Sequence, residues 1–184
     1  MIRQRAFTLI EVMISLAIIA MLAALVLPNL RTRTPRHERE KFVARLGAQV
    51  QAAWQHALVT HTLHKVVFDF KKRRVHVAYA TKQRDEKGQL RFKTLNNWHG
   101  VQPMVWEPQF KIKQFIIEGF DEMTRFSDRA VAESFFYVVP DGLTQAVTIN
   151  FFDTKDTIGR KPRQCSLVLN PFTARFSYYD SFQT

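Results

Sequence analysis

The sequence predicts an α+β chain: a long amino-terminal helix, membrane-spanning in its first half, packed on a carboxy-terminal antiparallel β domain. Three observations predict it. Residues 7–27 carry one charge, Glu11, in 21 positions. Residues 42–58 repeat apolar side chains at helical spacing, and beyond residue 63 the period drops to two. The 184 residues, 46% hydrophobic and 23% charged, suffice for one ordinary domain plus an appendage and exclude a disordered chain.

Residues 1–6 form a short leader with Arg3, Arg5 and no acid. The apolar run that follows would make a helix about 31 Å long, close to the thickness of a bilayer core. A secretory signal peptide is the alternative, with Ala20-Met21-Leu22-Ala23-Ala24 offering a small-x-small cleavage site. Arg31, Arg33, Arg36, Arg39, Lys41 and Arg45 come next, more cations than the leader holds, and a positive-inside count would keep that flank in the cytoplasm.

Pro28 is expected to bend the helix, and Thr34-Pro35 with Glu38 and Glu40 reads as a second helix start. Phe42, Leu46, Val50, Ala53, Trp54, Ala57 and Leu58 form one apolar stripe opposite Arg45, Gln49 and Gln55, so the helix should reach about residue 60. Residues 66–70 and 75–79 alternate around Lys71-Lys72-Arg73-Arg74, a hairpin with a basic tip. Residues 81–109, mixed and polar with Gly88, Pro103 and Pro108, are expected to be a long excursion or loop. Further strands are expected at 110–117, 134–139, 146–152, 165–169 and 173–179.

The order of residues at the amino terminus adds a resemblance. Phe7-Thr8-Leu9-Ile10-Glu11-Val12 directly after a short basic leader resembles the class III signal of type IV pilins and type II secretion pseudopilins. That resemblance implies cleavage by prepilin peptidase between Ala6 and Phe7, N-methylation of Phe7, and retention of the apolar segment as a filament core. The family prefers Gly before the cut, and Ala6 departs from it. Pro28 is the twenty-second residue counted from Phe7, where the family also places Pro.

A carboxylate in a bilayer costs about 2.5–3.5 kcal/mol on insertion scales, so Glu11 needs compensation. Pairing with the Phe7 amine of a neighbouring subunit would supply it and fix the axial register of assembly; the bland alternative is a Glu snorkelling to the interface.

Phe136-Tyr137-Val138-Val139-Pro140-Asp141-Gly142 and Leu167-Val168-Leu169-Asn170-Pro171-Phe172-Thr173-Ala174-Arg175-Phe176 resemble the H-type minor pseudopilins of the GspH/FimT family. Asn170 and Ala174 depart from its last turn, and the 81–109 excursion is long for it. The resemblance implies a pilin-like fold divided into a prepilin leader (1–6), a transmembrane and filament-core helix (7–30), its amphipathic continuation (31–62) and a globular β domain (63–184). It further implies a single-pass inner-membrane protein of bacteria whose globular part is exported despite the basic flank. The chain would be incorporated with other major and minor pseudopilins into a periplasmic pseudopilus, at or near its tip. The alternative is a minor pilin of a type IV pilus that binds DNA during uptake.

The chemistry points the same way by what it omits. With 27 Lys and Arg against 16 Asp and Glu the net charge is +11, and loss of Arg3 and Arg5 leaves about +9. Nucleic acid, an anionic membrane and an acidic partner protein are the contacts such a charge favours. Candidate anion- or DNA-binding residues are Lys71, Lys72, Arg73, Arg74, Arg160, Lys161 and Arg163; Lys82, Arg84, Lys87, Arg91 and Lys93 form a further group near Phe92 and Trp98. His61 and His64 could share a helix face but lack a third ligand, and Asp153 and Asp156 near Gly159 make a poor Ca²⁺ site with Lys155 between them. Cys165, the single cysteine, forms no intrachain disulfide and reads as a small core residue. No catalytic constellation, phosphate loop, metal site or cofactor site is expected.

Overall fold

A computed structural model of the chain describes residues 9–31, 34–98, 102–125 and 131–184. The chain divides into two compact units at Glu38/Arg39.

In the first unit, α1 (Leu9–Arg31) is helical over 23 residues, with Glu11 in its first turn. Leu, Ile, Ala and Met hold the helix by propensity, and Ser15 Oγ donates to the Glu11 carbonyl at 2.8 Å. Pro28 lies inside α1. Over residues 9–24, Leu9, Ile10, Met13, Leu16, Ile19 and Met21 are all more than 60% exposed. A helix apolar on every side belongs in a non-aqueous setting. Among the described residues no helix is long and apolar enough to cross a membrane.

The α2 helix (Pro35–Thr60) opens with Pro at its first position, where a missing N–H costs nothing. The Thr34 carbonyl accepts from His37 N and Glu38 N, at 2.9 and 3.3 Å. The apolar stripe expected from the sequence is the buried face: Phe42, Leu46, Val50, Ala53 and Ala57 are at most 1% exposed. At the far end His61 turns left-handed (φ 48°) and Thr60 Oγ donates to the His56 carbonyl, closing the last turn.

Among the described residues, ten strands follow in two antiparallel sheets. The first has the order β3 (Leu90–Thr94), β2 (Arg74–Arg84), β1 (His64–Asp69), β7 (Glu133–Val138), with the two-residue β4 (Met104–Val105) also on β2. The second runs β10 (Arg175–Tyr179), β9 (Lys161–Asn170), β8 (Val147–Ile158), β5 (Phe110–Ile117), β6 (Phe120–Asp121). The buried face of α2 and the inner faces of both sheets share one core. Phe42 stacks on Phe110 at 4.6 Å and meets Phe151 edge-on at 5.4 Å, joining helix to second sheet. Phe68 lies 4.7 Å from Phe115, joining sheet to sheet. Cys165 is fully buried in this core.

One expectation is corrected. Residues 81–109 are not a plain loop: β2 continues to Arg84, β3 returns along it, and Met104 and Trp106 are 2% and 3% exposed core residues. The β2–β3 hairpin reaches beyond the core: Leu90, Arg91 and Lys93 are exposed, and Phe92 is half-buried beneath Lys65 Nζ at 4.5 Å. Its turn is held by Asp85 Oδ1, which accepts from Lys87 N and Gln89 N, and by Gly88 at φ 76°.

Candidate functional site

The Ala6–Phe7 junction lies outside the described residues. Glu11 sits in the first turn of α1. Nothing in this single chain brings Glu11 to another subunit, so its assembly role and the bend at Pro28 remain expectations.

The basic groups are placed more informatively. Lys71, Lys72, Arg73 and Arg74 are all exposed at the β1–β2 turn, where Asp69 Oδ1 accepts from Lys72 N and Arg73 takes a left-handed conformation (φ 51°). Arg160 and Lys161 are exposed at the β8–β9 turn beside Gly159 (φ 66°). These two turns lie at the same pole. Trp106 N donates to the Arg73 carbonyl at 2.9 Å, Phe110 N to the Glu107 carbonyl at 3.1 Å, and Thr154 N to the Gln109 carbonyl at 3.0 Å. This relay ties the β1–β2 turn through residues 105–110 to β8. It is the pole where α2 begins, because Arg39 reaches β8 there and Arg45 pairs with Glu107 at 3.6 Å. The group from Lys82 to Lys93 lies on the β2–β3 hairpin, at the other end of β2.

Comparison with known proteins adds two findings. Residues 1–27 match the prokaryotic N-terminal methylation motif. Two solved structures of the minor pseudopilin EpsH from the type 2 secretion system of Vibrio cholerae superpose with TM-scores of 0.52 and 0.54. They are 14% and 12% identical, and the alignments cover 80% and 82% of this chain and 99% of each of theirs. The chain has the fold of a minor pseudopilin. No curated protein matches it in sequence.

Within this pseudopilin fold Arg163 does not belong with the open cations. Its Nε donates to Asp156 at 2.6 Å and its Nη1 to Asp180 at 3.3 Å. Arg39 Nη1, on α2, donates to Asp153 at 3.0 Å and Asp156 at 2.9 Å. Asp153 is 1% exposed and Arg39 7%. Burial works against the charge on Arg39, yet its hydrogen bonds and the surrounding groups outweigh it and raise its pKa. Burial likewise opposes ionisation of Asp156, and the two arginines more than offset it, holding the carboxyl below its ordinary range. The two aspartates considered for Ca²⁺ are therefore neutralised by guanidinium groups. Among the described residues no group of three or more His, Cys, Asp or Glu side chains is placed to hold a metal ion.

Two further clusters escaped sequence reasoning. His61 and His64 share no helix face, since α2 ends at Thr60. His64 instead pairs with His56: its Nδ1 donates to the Thr62 carbonyl at 2.8 Å, leaving Nε2 to accept from His56 Nδ1 at 2.6 Å. Burial lowers the pKa of both imidazoles. The Cys165 thiol contacts the Tyr178 hydroxyl at 3.2 Å, and burial pushes its pKa up, which leaves it inert.

Proposed function

We propose that the chain is a minor pseudopilin of a type II secretion system, a structural subunit for protein export and not an enzyme. The observation that carries this is the pseudopilin fold, shared over most of this chain and nearly all of its structural neighbours. The methylation motif at residues 1–27 supports the same reading.

In this reading the chain is made in the bacterial inner membrane and divided as leader 1–6, filament-core helix 7–30, continuation 31–62 and periplasmic β domain 63–184. Prepilin peptidase cuts between Ala6 and Phe7 and Phe7 is methylated. Glu11 then meets the Phe7 amine of a neighbouring pseudopilin, neutralising two charges where water is excluded. Pro28 removes one backbone donor from α1 and bends it. Assembly at or near the pseudopilus tip follows, with major and minor pseudopilins as partners.

The test is to express the chain with and without prepilin peptidase and read the mature amino terminus by mass spectrometry. Methylated Phe7 at the start is expected with the peptidase only; a start near Ala24 would mean ordinary signal cleavage. Deleting the gene in its own host should then trap secreted proteins in the periplasm. Intact secretion with lost DNA uptake would favour the second reading, a DNA-binding minor pilin of a type IV pilus, which the two basic turns at one pole support.

A further inference from the structure

We propose that the pole of the β domain where α2 begins is a docking surface for anionic phospholipid headgroups. Six exposed cations gather there: Lys71, Lys72, Arg73 and Arg74 on one turn, Arg160 and Lys161 on the other. The nearby acids offset them only in part: Glu133 lies across from Asp69 on β7, and Glu40 is exposed on α2. Asp69 lies 3.9 Å from Lys72, but Glu107 faces Arg45, and Asp153 and Asp156 are occupied by Arg39 and Arg163.

A second observation selects lipid over other polyanions. Each basic turn carries an exposed aliphatic side chain beside a cation. Val105, 54% exposed, pairs with Arg74 across β4 and β2. Ile158, 59% exposed, pairs with Lys161 across β8 and β9. An aliphatic group next to a cation suits the boundary between headgroup and acyl chain, where one sinks and the other meets phosphate. A nucleic-acid duplex offers phosphates but no apolar layer, and Val and Ile supply no ring to stack on bases.

The covalent path agrees. Only seven residues, 32–38, lie between the end of α1 and Arg39 in the chain. The inference rests on the membrane-anchored reading above. Its consequence is a parked state: before assembly the β domain lies on the anionic leaflet, and leaving it means breaking these contacts.

The experiment uses the full chain with Thr157→Cys, an exposed site on β8, labelled with a fluorophore; native Cys165 is buried and unreactive. The chain is reconstituted in nanodiscs of phosphatidylcholine, alone or mixed with phosphatidylglycerol, containing headgroup-spin-labelled lipid as quencher. Quenching is expected only with phosphatidylglycerol and should vanish at high salt. Each cation near such a surface is worth about fivefold in affinity. Lys71→Gln, Lys72→Gln, Arg73→Gln and Arg74→Gln together should therefore lower the docked-to-free ratio more than about a hundredfold. Val105→Ser with Ile158→Ser, an independent variant, should weaken it further without changing the salt slope.

Equal quenching in neutral discs, or none in either, would overturn the proposal. So would tight binding of a DNA duplex to the chain in neutral discs that the glutamine variant abolishes. A chain that never incorporates into discs would sink the membrane-anchored reading itself, a failure visible before any quenching is measured.

Discussion

Replacing Arg39 by Ala isolates what the buried ion pairs do. Asp156 would keep Arg163 at 2.6 Å, but Asp153, 1% exposed, would lose its guanidinium partner and keep the Lys155 amide at 3.1 Å. Breaking a buried pair by removing one partner costs about 3–5 kcal/mol, because an uncompensated charge stays inside. For a domain of this size that corresponds to a fall of about 10 °C in Tm. Full-length protein in mild detergent, unfolded by heat and by urea and followed by tryptophan fluorescence, would measure it. The double variant Arg39→Met, Asp153→Asn removes both charges and should recover at least about 1.5 kcal/mol of the loss. A single-variant cost below about 1 kcal/mol, or strictly additive losses in the cycle, would refute the claim that this pair is held by mutual neutralisation. The network also sets an acid limit: Asp156 is held below the ordinary carboxylate value of 3.8, so its contribution is present above that pH and is lost as pH falls through the folded value.

Other outcomes follow from the same structure. Glu11→Ala should leave membrane insertion intact and abolish filament incorporation, scored by fractionation and co-purification with neighbouring subunits; normal incorporation would remove the pairing role. Gly142→Ala should cost about 2 kcal/mol in urea unfolding, because Gly142 has φ 79° and an added Cβ would lie 2.9 Å from Leu58 Cδ2 and 3.3 Å from Trp54 Nε1. Phe42→Ala, which removes a ring packed against Phe110 and Phe151, should cost about 3–5 kcal/mol by the same measurement. For the histidine pair, both folded values lie below 6.5, so the unfolded chain binds more protons as pH drops through 6.5. Stability should hold above that pH and decline below it until the folded values are passed, and His56→Gln should flatten the decline in a series of thermal melts.

The parts of this fold legible in the sequence are those where one physical rule acts alone. Phe42, Leu46 and Val50 face a core on one side and water on the other, so their spacing announces α2, and β5 falls at residues 110–117 as expected because its buried positions Phe110, Phe115 and Ile117 are large and apolar. The β2–β3 hairpin escaped because the alternation of its return strand is confined to Leu90-Arg91-Phe92-Lys93, too short to stand out from a polar, charged stretch. Met104 and Trp106 escaped because β4 is only two residues long and Trp106 lies just past it, too short a stretch to show a period.

At the candidate site the amino-terminal motif is local and was readable in full. Arg39 was not: in the sequence it is one more cation in a run from Arg31 to Arg45, and only the return of the chain more than a hundred residues later brings Asp153 and Asp156 to it. Arg163 misled for the same reason, standing beside Lys161 in sequence while pointing into the ion pairs. The His56–His64 contact needed the exact end of α2, since a helix one turn longer would have carried His64 away from β1.

The way α2 is fastened has a mechanical side. Near its start Arg39 holds β8, and near its end Gln51 Nε2 donates to the Thr173 and Ala174 carbonyls while Trp54 Nε1 donates to the Gly142 carbonyl. Attachments at both ends of a rod, with Phe42, Leu46 and Val50 packed between them, are loaded in shear when the rod is pulled lengthwise. They must yield together, whereas a rod fixed at one end peels contact by contact. A tug or push delivered along this helix would therefore move the β domain as a body, and the subunit could carry axial load without coming apart.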